Sequence, residues 1–323
     1  MAENIKSAVV NEDELFTFVS NDTIESEKII APRYSYWRSV FRVFFRKKSN
    51  WFVLGLLALL LICCFIVPLF FSYDPYENVT NANMYNQSPA QAMRATGGFS
   101  LKWLLGSGQL GNSILYGLWP SARTSLLLAL IVSTINMTVG ITLGAVWGYS
   151  KSFDKVMLVV YSIVANVPYL LLLSVLVYII GSGFWSFVFA FTITGWLGIS
   201  FFFRTQVMII RDREYSLASR CLGTPIPRII SKNILPFLTS VIVTLLATYL
   251  PSYISYEVFL SFIGTGISAT IPSLGRMIQE GQVAFRTYPW AFWPPVAVAA
   301  LLTIILYVLG QNLADATDPR THM

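Results

Sequence analysis

Glu257 is the only clear carboxylate inside a long apolar run of this sequence. A charge in such a run must be paired, protonated or close to water. It can tie neighbouring helices together or sit at a membrane surface. It can also contribute to a solute path or an outer gate. Tyr253 and Tyr256 stand beside it, and their hydroxyls can hydrogen-bond a peptide backbone; rings at a membrane interface are the plainer account. No other group points to catalysis. The single histidine, His322, is next to the last residue, and Cys63, Cys64 and Cys221 have neither metal-ligand spacing nor a disulfide framework. No catalytic residue, metal or cofactor is therefore expected on this chain. It holds no G-x-x-x-x-G-K-[ST] loop for nucleotide phosphates. Gly106-Ser-Gly-Gln-Leu-Gly111 matches G-x-G-x-x-G but lacks a flanking strand–helix–strand unit, and is read as a backbone turn.

The second constellation is the charged segment Asp212–Pro236. Asp212 can cap a helix N-terminus, and Gly223 followed by Pro225 can end it, so a helix is expected over Arg213–Leu222. Tyr215, Ala218, Ser219 and Leu222 share one face, two of them small. Such a helix is too short to be stable alone in water, so its order must come from docking, and its small face suits a groove on another protein.

The elements that must position these residues follow from composition. The chain has 323 residues, 55% hydrophobic and only 12% charged, against roughly 25% charged in soluble chains. A bilayer core of ~30 Å needs ~20 apolar residues in a helix. Six runs qualify: Trp51–Phe71, Ser125–Trp147, Val156–Ile180, Trp185–Phe203, Phe237–Phe262 and Ala291–Leu309. About fifty mostly polar residues precede the first, so it is expected to act as its own insertion signal rather than follow a cleavable one. With both termini inside, seventeen Lys and Arg lie inside and five outside, the distribution of a multi-pass plasma-membrane protein. The net charge of +6 is thereby assigned to orientation and not to nucleic acid.

Residues 1–33 form an acidic cytoplasmic tail and 34–50 an amphipathic helix lying on the inner leaflet. Its Arg38, Arg42 and Arg46 face lipid headgroups, while Trp37, Val40, Phe41, Phe44 and Phe45 form the apolar face. The first span covers 51–71 and a turn-rich extracellular segment 72–124. A core of five further spans covers 125–312, with its cytoplasmic loop at 204–236, and a cytoplasmic tail covers 313–323. A second outer segment, Gly264–Pro289, carries Gly264, Gly266, Pro272 and Gly275 among apolar residues, which suits a loop dipping back against the bundle.

The loop resembles the signature of bacterial ABC importer permeases: a Glu-Ala-Ala triplet, a Gly four residues after the second Ala, and a closing Leu-Pro. Here these are Leu217-Ala218-Ser219, Gly223 and Leu235-Pro236. Leu217 replaces the glutamate, with Glu214 nearby, and Asn233 replaces the usual hydrophobic residue. Further segments resemble the dipeptide, oligopeptide and nickel branch of that family: Trp103–Gly111, Ser121–Leu126, Gly195–Gly198, Glu257–Gly266, Pro272–Gly275 and Leu313–Arg320. The resemblance runs from Tyr34 to the C-terminus. It is strongest to the OppC type, AmiD-like oligopeptide permeases in particular.

It implies an all-α membrane protein of six transmembrane helices, the type I ABC importer permease fold, with an interfacial N-terminal helix. It implies a transport subunit for oligopeptides without an ATPase site of its own. Expected partners are a second, OppB-like permease, two OppD/OppF-like ATPases carrying ATP and Mg, and an OppA-like peptide-binding lipoprotein outside. ATPase coupling falls to Glu214, Tyr215, Leu217, Ala218, Ser219, Leu222, Gly223, Leu235 and Pro236. Dipeptides, nickel or another small solute are the alternative cargo. An ion-gradient carrier is a different class, and it would be expected to show paired intramembrane charges and internal repeats, neither of which is evident here.

Overall fold

Long apolar runs without charges leave the backbone no partner in lipid except itself, so helices are required. The computed structural model describes residues 35–283 and 285–318, and the expected acidic tail lies outside them. The chain falls into two units, Met1–Ser39 and Val40–Met323. In chain order the helices are α1 (Tyr36–Arg46), α2 (Lys48–Phe65), α3 (Val67–Phe70), α4 (Pro89–Ala95), α5 (Ile114–Tyr149), α6 (Lys151–Ala165), α7 (Tyr169–Ile180), α8 (Phe184–Arg211), α9 (Glu214–Cys221) and α10 (Ile226–Arg228). A π-helical turn, Ile229–Ile234, and a 3-10 turn, Leu235–Leu238, then lead into α11 (Thr239–Phe262), α12 (Leu274–Val283) and α13 (Pro289–Thr317).

Among the described residues, five helical stretches are long and apolar enough to cross a membrane: Lys48–Phe70, Ile114–Tyr149, Phe184–Arg211, Ile226–Phe262 and Pro289–Thr317. The third expected span, Val156–Ile180, is not one straight helix. It is α6 and α7, bent by 82° across Asn166–Pro168, and counting the pair as one span gives six. Pro168 supplies no N–H and turns Val167 away from helical geometry. Three boundaries also move. The second span begins at Ile114 rather than Ser125, capped by the Ser113 hydroxyl, which accepts from the Tyr116 N–H. The 36 residues of α5 extend ~54 Å at 1.5 Å per residue, longer than the ~30 Å apolar core. The fifth is preceded by continuous helical turns from Ile226, and the sixth continues to Thr317, into the expected tail. Along α1, Val40 and Phe44 are buried while Arg42, Arg46, Phe41 and Phe45 are exposed.

Parallel helices α5 and α8 form the most extensive pair. Their closeness rests on Gly140, Gly144 and Gly148, every fourth residue on one face of α5. A Cβ at these positions would lie 2.7 Å from the Ile199 side chain, 2.6 Å from the Ser200 carbonyl and 2.7 Å from the Arg204 carbonyl. Small residues at this spacing let backbones meet and gain dispersion contacts that lipid cannot supply. Gly144→Ala should therefore cost about 1–3 kcal/mol through overpacking. The measurement is the thermal midpoint of the purified protein against Gly55→Ala on α2, where an added Cβ meets nothing within 4 Å. Equal midpoints would remove the stripe as the packing determinant.

In the segment between α3 and α5, Met84, Ala92 and Trp103 make a small core of their own. The Gly106–Gly111 loop folds back on itself, with Gly106 at φ +79 and 2.6 Å from the Gln87 carbonyl at its would-be Cβ. That geometry is a packed turn.

Candidate functional site

Three places gather the residues singled out from sequence. The first is the end of the bundle where α5 and α8 finish. Asp212 does not cap α9. It ends α8, and its carboxylate is held by the Arg211 guanidinium at 2.8 and 3.0 Å, which keeps it below the usual carboxylate range. Arg213 occupies the N-cap position of α9 without a side-chain cap, the Asp212 carboxylate being held by its adjacent guanidinium. Arg211 also donates to the Gly148 carbonyl at 2.9 Å, so the base of the loop is fastened to the end of α5. Beside it, Asp154 accepts from Arg204 at 2.7 Å and from the Trp147 indole at 2.6 Å, joining α5, α6 and α8.

The C-terminus of α9 closes as the glycine pattern requires. Gly223 stands at φ +75, its N–H donates to the Arg220 carbonyl, and the Thr224 N–H donates to that of Ser219, a Schellman cap. Glu214, Tyr215, Leu217, Ala218, Leu222, Gly223 and Pro236 are exposed, Leu235 is half-buried, and Leu222 is 85% exposed. Tyr215 packs on Phe237, ring centres 5.3 Å apart. Leu217, Leu222, Ile226 and Phe237 thus leave an exposed apolar surface on and beside α9. The Asn233 amide donates to the Ser219 hydroxyl at 2.8 Å. Two departures from the signature therefore meet each other and tie α9 to the π-helical turn leading into α11.

The second place is Glu257, wholly buried near the far end of α11. Its Oε2 accepts from Ser125 of α5 at 2.8 Å, and its Oε1 from Ser273 at 2.8 Å and Ser261 at 3.1 Å. The Leu274 N–H donates to the Ser125 hydroxyl at 3.1 Å. A Cβ on Gly275 would stand 2.6 Å from Oε1. One carboxylate thus gathers α5, α11 and the start of α12, drawing the Gly264–Pro289 segment onto the bundle. Among the described residues no cation pairs with it.

The third place is a partly open chamber of about 360 Å³ at the α6–α7 bend. Tyr161, Tyr169, Tyr249, Tyr253 and Tyr256 line it, with Thr194 and Gly198 of α8; Glu257 does not. The Tyr253 hydroxyl accepts from the buried Asn136 amide at 2.8 Å, and that amide also donates to the Phe191 carbonyl. So Tyr253 and Tyr256 share a cavity, while the carboxylate one residue further on faces packed helices. The serines around Glu257, the Asp154–Arg204 pair and the chamber's other tyrosines were not picked out from sequence. Only the glycine stripe had a readable signal, its spacing. Among the described residues no three His, Cys, Asp or Glu are placed to hold a metal.

Residues 140–323 match the family model of the binding-protein-dependent transport system inner membrane component, and residues 35–89 that of the N-terminal TM domain of oligopeptide transport permease C. The chain is 45% identical to the oligopeptide transport system permease protein AmiD of Streptococcus pneumoniae, covering 96% of this chain and 98% of that protein. It is 29% identical to the oligopeptide permease OppC of Bacillus subtilis, over 92% of this chain and 93% of that one. It is 30% identical to the dipeptide permease DppC of the same organism, over 95% and 93%.

Proposed function

The chain belongs to the family of binding-protein-dependent transport system inner membrane components, and from that premise we propose how it moves its cargo. It is a permease subunit of a peptide ABC importer, with oligopeptides as the substrate class. A second, OppB-like permease completes the path. An OppA-like lipoprotein delivers peptide outside, and two OppD/OppF-like ATPases inside bind the ATP and Mg, which this chain itself does not bind. Both termini are cytoplasmic, and α1 lies on the inner leaflet.

One observation carries the mechanism: α9 and its flanks expose an apolar surface while Arg211 and Asn233 fasten the same loop to α5 and to the entry of α11. A docked ATPase gripping Leu217, Ala218 and Leu222 moves the loop, and the loop moves both helices. ATP binding closes the ATPase pair and opens the bundle outward; hydrolysis returns it. The cycle works only if the two bundle states differ in contact energy at that surface. Glu214, in the first turn, is the acid available where the signature glutamate is missing.

The test is uptake into proteoliposomes holding both permeases and both ATPases, with the binding protein added. Labelled oligopeptides should accumulate with ATP and Mg, and not with a non-hydrolysable analogue. The similarity to a dipeptide permease keeps dipeptides as the second reading. Accumulation of dipeptides or nickel alone would replace the oligopeptide assignment, and uptake independent of ATPases would replace the class.

A further inference from the structure

Packing holds the rings of the tyrosine chamber, Tyr161 stacked on Phe201 with centres 4.0 Å apart and Tyr249 against the buried residues of α5 and α8, but it does not use all of their hydroxyls. Five tyrosines converge on it from α6, α7 and α11, and helices facing only lipid or each other need no such cluster. Thr194 apart, its other walls are apolar, among them Val164, Leu172 and Leu197, with Pro168 at the bend, and they hold no Asp, Glu, Lys or Arg. Rings are held at different angles, Tyr169 edge-on to Tyr256 with centres 5.4 Å apart and Tyr253 edge-on to Tyr256 at 6.1 Å. Tyr253 is fixed by Asn136. By contrast, among the described residues the Tyr249 and Tyr256 hydroxyls have no hydrogen-bond partner. A hydroxyl that faces a cavity without a partner is available to a ligand. The volume, about 360 Å³, is at the low end of the ~300–1,000 Å³ of ligand pockets. It fits part of a peptide and not a whole one.

We propose that this chamber is a transit subsite for the uncharged part of a passing peptide. The tyrosine rings take one apolar or aromatic side chain, and the Tyr249 and Tyr256 hydroxyls bond the adjoining backbone amides. Backbone groups are common to all peptides, so the hydroxyls hold the chain without reading its sequence. The rings supply the preference, since a charged side chain would lose its water with no counter-ion to replace it. The permease itself then contributes selectivity beyond that of a delivering protein. The proposal rests on the peptide-importer reading above.

The experiment uses the full importer in proteoliposomes and three labelled tripeptides, Ala-Phe-Ala, Ala-Asp-Ala and Ala-Lys-Ala. In Tyr249→Phe/Tyr256→Phe the rings stay and two hydroxyls go. The KM for Ala-Phe-Ala is expected to rise ~5–30-fold, from two lost hydrogen bonds of ordinary strength. Gly198→Leu places a side chain in the chamber and should slow Ala-Phe-Ala more than either charged peptide. Equal recovery of assembled complex from detergent controls for folding. If both variants transport all three peptides with unaltered kinetics, the subsite is overturned while the importer reading stands. If the variants affect Ala-Lys-Ala most, the chamber is a cation cage and the proposal is wrong in its chemistry. If the unaltered importer moves no peptide, the broader reading fails first.

Discussion

Replacing Glu257 with leucine is expected to destabilise the permease by about 3–5 kcal/mol, among the largest effects of any single substitution in it. Removing the carboxylate leaves the Ser125, Ser261 and Ser273 hydroxyls buried without their acceptor. Each stranded donor costs ~1–3 kcal/mol; Ser125, inside α5, and Ser261, inside α11, each have a carbonyl one turn back to turn to, while Ser273, just before α12, has none. The added bulk also meets Gly275, which already lies against the carboxylate. Glu257→Gln separates the roles. With its carbonyl at the Oε1 position it still accepts from Ser261 and Ser273, while its amide faces Ser125, so the cost should be about 1 kcal/mol. The thermal midpoint in detergent and the protease sensitivity of residues 264–283 measure this. If the leucine variant is as stable and as resistant as the parent, the carboxylate is not the latch of that segment. If the glutamine variant folds normally yet transports slowly, Glu257 acts in the path or gate rather than only in the fold.

How much of this was readable beforehand differs from place to place. Apolar runs mark what lies in lipid, so they located the spans but not the helix ends. Helix α5 starts at Ile114 because Ser113 caps it, well before the run becomes continuously apolar. Proline alone did not foretell the 82° break: Pro120, Pro251, Pro294 and Pro295 lie inside unbroken helices, where neighbours satisfy the freed carbonyls. Gly223 and Pro225 announced the end of α9 correctly because that signal is local. Asp212 misled because its adjacent arginine outcompeted the helix N-terminus for it. Glu257 stood out in composition, yet its partner Ser125 is 132 residues away, and nothing in a single sequence connects them.

Substituting a bulky charged residue on α9 should act on coupling and leave the fold intact. Ala218 is exposed, so Ala218→Glu should change stability by no more than about 0.5 kcal/mol. Yet ATP-driven uptake by the complete importer should fall by roughly 5–150-fold, the range of a coupling free energy of ~1–3 kcal/mol. Gly223→Glu adds a second effect. Space is available, since nothing lies within 4 Å of its would-be Cβ, but φ +75 is unfavourable for a side chain. The Schellman cap should loosen at a cost of about 1–2 kcal/mol. Gly223→Ala carries that strain without the charge and isolates it. The measurements are uptake, ATP hydrolysis and co-purification of the ATPases, at matched permease abundance. Hydrolysis that continues while uptake is lost is the signature of a broken link, because energy is released where the bundle no longer feels it. Loss of co-purification would mean that the surface holds the ATPases as well as transmitting their motion. Import at the normal rate by both charged variants would show that α9 is not where the ATPases work this chain.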